Sequence, residues 1–411
     1  MDREKSMQPQ EGGPELSPTE DLWVISFMGR DRPGLIRDIL QEPALQKVNI
    51  VDMDQRVMQG IFVMSVVADF STARVTPQEL EAWFRRQAKG LGIELGFLPL
   101  KQYRGRRRSK KSLHVVTILA KDRVGIIRDV AGIAAKNNIN IERASVTARG
   151  DLISIEFLMD FADCNVENCK EIVKRDCERL GLDVVVQEHD RSLKEKRLIV
   201  FDMDMTIVDF EIINKLASSV GVDEQVKAIT ERAMSGEMDF KESLRQRVRL
   251  LKGTPARTLS DIAEDLQLTP GSEELIHHLK HVGYKIALIS GGFTYFTDVL
   301  KERLGFDYTF ANELEIKDGV LTGEIKGEII DGEAKGRIIY RLAELERISP
   351  DNIVAVGDGA NDCLMIKNAG LGVAFNAKDI LKKVSDGTLS RENLLGLLNV
   401  LGLTEKEKEM L

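Results

Sequence analysis

Cysteine is scarce, with four in 411 residues. So few thiols in so long a chain cannot build a disulfide framework, and they suit a reducing cytoplasm. Cys164, Cys169 and Cys177 lack CxxC spacing, which argues against a zinc site. Long apolar runs are missing as well. None approaches the ~20 uncharged residues that cross a bilayer, so no membrane partner is expected. A charged-then-apolar leader is also absent: residues 1–20 are polar, rich in Pro, Gly and Glu, and read as a disordered lead-in. Positive charge is not in excess, since 58 Lys and Arg face 66 Asp and Glu for a net charge of -8. That balance argues against a nucleic-acid partner.

The composition that is present is ordinary and globular. Hydrophobic residues make up 43% and charged residues 30%, enough to bury several cores in a chain long enough for two to four domains. Residues 21–100 read in the order strand, helix, strand, strand, helix, strand, with a helix from Pro77 to Leu91 and Pro just inside its start. The order repeats over 113–190, about 90 residues on. That period is too long for a solenoid repeat and fits two ferredoxin-like βαββαβ units. Residues 101–112 between them are densely basic (Arg104, Arg106, Arg107, Arg108, Lys110, Lys111) and read as a solvated linker. From 197 to 411 short apolar strands alternate with helical segments, the pattern of a parallel sheet wrapped by helices. A helical insertion is expected at about 210–266, and a hairpin from Asn312 to Gly327 turned at Asp318-Gly319.

Three of the expected parallel strands end in small and acidic residues. These are Asp202-Met203-Asp204-Met205-Thr206, then Ser290-Gly291-Gly292-Phe293, then Gly357-Asp358-Gly359-Ala360-Asn361-Asp362. Ligands of open α/β sheets bind outside the carboxyl ends of the strands, so the clusters should converge. A hydroxyl and glycines before a helix aim backbone N–H groups at an anion, most simply a phosphate. Several acidic groups around one crevice repel one another unless a cation neutralises them. Oxygen-only donors beside an anionic substrate point to Mg2+. Any single cluster alone is ordinary loop chemistry; the set of three is not.

With Lys335 between the second and third clusters, these motifs resemble in order and spacing those of the haloacid dehalogenase superfamily. Within the insertion, Glu211, Met234, Phe240 and Arg247 resemble the substrate-reading residues of phosphoserine phosphatases. The two N-terminal repeats resemble ACT domains, on the turns Gly29-Arg30-Asp31-Arg32-Pro33-Gly34 and Lys121-Asp122-Arg123-Val124-Gly125. The expected fold is therefore α/β, a Rossmann-like parallel sheet with a helical cap, preceded by two ferredoxin-like ACT domains.

The resemblance implies a magnesium-dependent phosphomonoester hydrolase acting on phosphoserine, the last step of serine biosynthesis. Asp202 would be the nucleophile, Asp204 the acid and then the base, and Lys335 a charge clamp. Asp202, Asp204 (through its backbone carbonyl) and Asp358 would hold the metal. Ser290 and Gly291 would bind phosphoryl oxygens, with Asn361 and Asp362 orienting the metal's waters and Lys335. Glu211 would meet the substrate ammonium and Arg247 its carboxylate, while Met234 and Phe240 exclude water. Asp31, Gly34, Asp122 and Gly125 mark the places where an amino-acid effector such as L-serine would bind, and ACT modules commonly pair sheets, so a homodimer is expected. Two other readings stay open: another phosphomonoester substrate, or an amino-acid-binding regulator with an inert phosphatase-like body. Met205 stands where many relatives carry a small or polar residue.

Overall fold

The computed structural model describes residues 21–103, 111–148, 152–164, 166–192, 196–390 and 393–403. The lead-in, Arg104 to Lys110 of the basic linker, and the Arg149-Gly150-Asp151 turn lie outside them. Contacts divide the chain into two units, residues 1–109 and 110–411.

The first unit is built from β1 (Leu22–Arg30), α1 (Leu35–Leu45), β2 (Asn49–Met58), β3 (Ile61–Asp69), α2 (Pro77–Leu91) and β4 (Ile93–Pro99). Its antiparallel sheet runs β2-β3-β1-β4. Alternation in β1 and β3 sends Ile25, Phe27, Phe62, Met64 and Val66 to one face, where Leu35, Ile39, Leu80 and Phe84 of the helices cover them. A capping box at Thr76 and Glu79, with Pro77 in the first turn, starts α2 where the sequence places it.

The second unit opens with the same order: β5 (Leu113–Ala120), α3 (Ile126–Lys136), β6 (Asn140–Ala148), β7 (Ile153–Asp160), α4 (Val166–Arg179) and β8 (Asp183–Glu188). The two turns before the first helices match in detail. Gly34 and Gly125 both take positive φ, 84° and 98°, at the helix entry. Asp38 is gripped by Arg32 and Arg37 as Asp129 is by Arg123 and Arg128, at 2.7–2.9 Å. One local difference from the sequence reading is that Cys164 and Cys169 are bonded to each other, their Cα atoms 6.5 Å apart. Cys177 stays free and buried, and burial pushes its thiol up to about 12.

After the short α5 (His189–Ser192) comes the α/β body: β9 (Leu198–Phe201), α6 (Ile212–Val220), α7 (Asp223–Met234), α8 (Phe240–Leu250), α9 (Arg257–Glu264), α10 (Ser272–His281), β10 (Lys285–Phe293) and α11 (Thr294–Leu304). It continues through β11 (Tyr308–Lys317), β12 (Val320–Lys326), α12 (Gly332–Glu346), β13 (Ile353–Gly357), α13 (Cys363–Asn368), β14 (Leu371–Phe375), α14 (Asp379–Val384), β15 (Gly387–Leu389) and α15 (Gly396–Val400). Helices α6 to α9 form the expected insertion. The β11–β12 hairpin turns at Asp318 and Gly319, both at positive φ. Its first strand begins earlier than the sequence reading placed it, because Tyr308 to Phe310 pair in parallel with β10 before the chain turns outward.

The sheet of this unit has eleven strands, in the order β12-β11-β10-β9-β13-β14-β15-β8-β5-β7-β6. The second repeat is thus joined to the parallel sheet through the antiparallel contact of β15 with β8, Gly387 opposite Val185. Leu119 and Val185 of the repeat belong to the same buried cluster as Phe201, Leu389 and Leu397 of the body. That sharing explains why β5 and β8 are buried on both faces, unlike the alternating β1.

Candidate active site

Strand β9 lies between β10 and β13, so the carboxyl ends of the three motif-bearing strands are neighbours. Strands β9 and β13 are wholly apolar and buried, and β10 is so from Ile286 to Ile289, after the exposed Lys285, as parallel strands under helices must be. Polarity begins where hydrogen bonding along the strands stops. Asp202 follows β9 directly, and its backbone N–H donates to the Val356 carbonyl of β13 at 2.9 Å.

The centre of the site is Lys335, fully buried in the first turn of α12. Its Nζ lies 2.7 Å from Asp202 Oδ1 and 2.7 Å from Asp362 Oδ1. Burial on its own would lower this amine, but the two carboxylates outweigh it and hold the ammonium above the ordinary lysine range. Asp362 is committed on both oxygens, since Oδ2 accepts from the backbone N–H groups of Asp358 (3.2 Å) and Gly359 (3.1 Å). The glycine at 357 is required here: a Cβ would stand 2.5 Å from Asp362 Oδ2. Asp202 Oδ1 also accepts from Met203 N–H at 2.7 Å. This fixes one face of the carboxylate and leaves Oδ2 outside those bonds.

Asp202, Asp358 and Asp362 bring one carboxylate oxygen each to within 4.8 Å of the others. Burial first, then the Asp362 charge, pushes Asp202 well above the usual carboxylate range in spite of Lys335. The same two causes push Asp358 up to about 7. One ammonium does not neutralise this many carboxylates. With oxygen donors only and Asp362 already engaged, the cluster fits a hard divalent cation held by Asp202 and Asp358. Asp204 is not in the cluster. Its carboxyl faces the cavity, Oδ1 accepting a long 3.4 Å bond from Ile212 N–H, and burial followed by the Glu211 charge raises its pKa.

A cavity of about 630 Å³ opens above these groups, lined among others by Asp202, Asp204, Glu211, Phe240, Arg247 and Asn361. Gly291 and Asp358 line it as well, while Lys335, Ser290 and Asp362 are buried behind its wall. The Ser290 hydroxyl oxygen accepts from Gly292 N–H at 2.8 Å, leaving its hydrogen to donate elsewhere. Phe240 reaches over the glycine turn, its ring tip 3.1 Å from where a Gly291 Cβ would sit. Arg247 is 9% exposed, and its Nε donates to the Ser243 carbonyl at 3.4 Å. Burial pulls its guanidinium down, opposed by the charges of Glu211 and Asp204. The Met234 side chain lies outside the described ones. Met205 adopts φ 58° and is exposed, a left-handed conformation that favours glycine or asparagine and is strained for methionine.

Three site residues escaped the sequence reading. Asn312 is buried and braces the glycine turn, donating from Nδ2 to Gly291 O (2.8 Å) and Gly292 O (3.2 Å) while its Oδ1 accepts from Ile330 N–H. Its signal was a polar amide directly after the Tyr308 to Ala311 run, within β11. Ser243 is 1% exposed, lines the cavity and has no partner for its hydroxyl among the described residues. It lies one helical turn before Arg247, so the i, i+4 spacing in α8 carried a hint. Lys378 also lines the cavity, and its backbone N–H donates to Asp358 O at 3.1 Å.

Known proteins resemble this chain along nearly its whole length. Residues 196–370 match the haloacid dehalogenase-like hydrolase family, and residues 21–97 and 114–168 each match an ACT domain family. A phosphoserine phosphatase of Archaeoglobus fulgidus is 52% identical over 84% of this chain and 98% of its own length. Another from Streptomyces coelicolor is 34% identical, over 94% of this chain and 93% of its own. Among solved structures, a haloacid dehalogenase family hydrolase from Salmonella enterica serovar Typhi superposes with a TM-score of 0.63. It is 28% identical and covers 70% of this chain and 98% of its own.

Proposed function

The chain belongs to the phosphoserine phosphatases of the haloacid dehalogenase superfamily, and from that premise we propose that it hydrolyses O-phospho-L-serine to L-serine and phosphate. The observation that carries the reading is the buried Lys335, clamped between Asp202 and Asp362 beneath a cavity that presents Glu211 and Arg247.

Asp202 attacks phosphorus through the oxygen that Lys335 and Met203 leave open. The serine C–O bond stays intact while the P–O bond to serine breaks, and an aspartyl-phosphate forms. Asp204 gives its proton to the departing serine oxygen. Its raised pKa supports that role, because a general acid must still hold a proton near neutral pH. Asp204 then takes a proton from water, the water oxygen bonds to phosphorus, and Asp202 is released. Lys335, the Ser290 hydroxyl and the Gly291 N–H hold the phosphoryl oxygens as charge builds on them. Magnesium, carried by Asp202, Asp358 and the Asp204 carbonyl, would neutralise the phosphoryl charge. Asn361 and Asp362 keep Lys335 and the loop in place.

Glu211 and Arg247 select the leaving group, one carboxylate for an ammonium and one guanidinium for a carboxylate. Phe240, with Met234, closes over it and excludes water. The substrate is a small, multiply charged metabolite that does not cross bilayers unaided, which favours action in the cytoplasm within serine synthesis. The two ACT domains are proposed to bind an amino acid, L-serine first, at the turns of Asp31, Gly34, Asp122 and Gly125, and to pair two chains as a homodimer. The proposed domain limits are 21–100, 113–190 and 197–411, with the cap at about 210–266.

The test is phosphate release from O-phospho-L-serine against a neutral aryl phosphate, each with magnesium and with a chelator. Metal-dependent release that strongly prefers phosphoserine is expected. Release from the aryl phosphate alone would leave the chemistry standing and remove the assigned substrate.

A further inference from the structure

Helix α14 has six residues, and within it only Leu381 is buried. So short a helix has little stability of its own, and its position is set by what holds its ends. At one end, Lys378 N–H is bonded to the carbonyl of Asp358, and Lys378 lines the cavity. At the other end the holding group comes from the second ACT domain. Lys174 of α4 extends its Nζ to the carbonyl oxygens of Ser385 (2.5 Å) and Lys382 (3.3 Å). The last carbonyls of a helix have no partner within it, and a cation there also meets the negative end of the helix dipole. Lys174 is itself well placed to hold still, because Val173 beside it and Cys177 one turn on are fully buried in the domain core.

The chain beyond α14 is clasped by the same domain. Val186 N–H donates to Asp386 O at 2.9 Å, and Ser390 N–H to Asp183 Oδ1 at 2.9 Å. Gly387 lies so close to β8 that a Cβ would stand 2.4 Å from Val185 Cα. The segment 378–390 therefore touches the catalytic loop at one end and the ACT domain at the other, with β14 pairing along β15 and Gly372 bonded to Asp386 between them.

We propose that Lys174 is a positioning residue of the catalytic centre, holding α14 from the second ACT domain so that Lys378 and the Asp358 loop keep their places at the cavity. This rests on the reading of Asp358 as a metal-holding residue. It gives the second ACT domain a direct mechanical connection to the loop that binds the metal.

The experiment compares the full chain with Lys174→Met, Lys174→Arg and, as a control, Lys170→Met, whose ammonium pairs with the surface Glu188. Two quantities are measured: the magnesium concentration for half-maximal phosphate release, and amide hydrogen exchange in peptides covering 353–362 and 378–386. Lys174→Met should raise the half-activating magnesium concentration about threefold or more, short of the ~10–100-fold lost when a direct partner of a metal ligand goes. Exchange should quicken in both peptides. Lys174→Arg should restore both, and Lys170→Met should match the parent chain. Should Lys174→Met fail to fold, Lys174→Gln, which keeps a donor on a shorter stem, is read in the same way. Unchanged magnesium dependence, or faster exchange in 378–386 with none in 353–362, overturns the proposal. If the parent chain released no phosphate from phosphoserine, the assigned substrate would fall, and the exchange comparison would still decide the role of Lys174.

Discussion

At the scale of single residues the site holds charges that burial makes costly. Lys335 is exposed to no solvent and has two carboxylates in hydrogen-bond reach. Replacing it with methionine leaves Asp202 and Asp362 buried without their cation, so phosphate release should fall by at least ~100-fold and the folded chain should lose about 3 kcal/mol or more. Thermal unfolding alongside single-turnover rates separates the two losses. Arg247→Lys keeps the charge but not the fork, and should cost about tenfold to a hundredfold in kcat/KM for phosphoserine. The same change should leave an aryl phosphate nearly unaffected, and an equal loss on both substrates would show that Arg247 does not read the carboxylate. The acids make a prediction about pH as well. Asp358 is raised to about 7 by burial and by Asp362, and Asp202 and Asp204 are raised too. Groups with raised folded pKa values bind more protons folded than unfolded, so their contribution to stability is lost as pH rises through that window. The lowered carboxylates, such as Asp38 and Asp129 beside their arginines, have the opposite sign, but their contribution is complete once pH exceeds the ordinary carboxylate range. Metal-free protein should therefore lose stability between pH 5 and 7 in urea titrations. Added magnesium should reverse the trend, because it binds the deprotonated ligands.

At the scale of elements, legibility followed how local the cause was. Strand ends, helix starts and the two βαββαβ repeats were readable because alternation, Pro77 after Thr76, and Gly34 and Gly125 at helix entries each act within a few residues. The three acidic and glycine-rich motifs were readable for the same reason, and sheet order then placed them side by side. The brace from Asn312 was not, since it depends on where β11 leaves the sheet relative to Gly291. The contact of β15 with β8 was missed because it rests on a single register pair between distant segments. The sequence carried little trace of it: Val184-Val185-Val186 is apolar, but Val115 to Ala120 is interrupted by Thr117 much as Leu22 to Met28 is by Ser26. Gly387→Ala tests that junction. A Cβ there meets Val185 backbone, so the change should cost about 1–3 kcal/mol as overpacking. An unchanged melting temperature would show that the junction yields freely.

At the scale of the whole molecule, a catalytic body of known family shares a sheet and a core with one ACT domain and is preceded by another. An amino acid bound at the ACT turns can change activity only if it binds two states of the protein unequally. L-serine should therefore lower phosphate release in a way that added phosphoserine does not restore, unlike simple product competition. Asp31→Ala and Asp122→Ala should remove that component, and purely competitive inhibition would take the ACT domains out of the account. Asp202 is proposed to carry the phosphoryl group during turnover. Mass spectrometry of chain quenched in acid while turning over phosphoserine tests it most directly. The peptide containing Asp202 should gain the mass of one phosphoryl group, lost on treatment with hydroxylamine and absent in Asp202→Asn. Steady phosphate release with no such adduct on that peptide, or release persisting in Asp202→Asn, would contradict it.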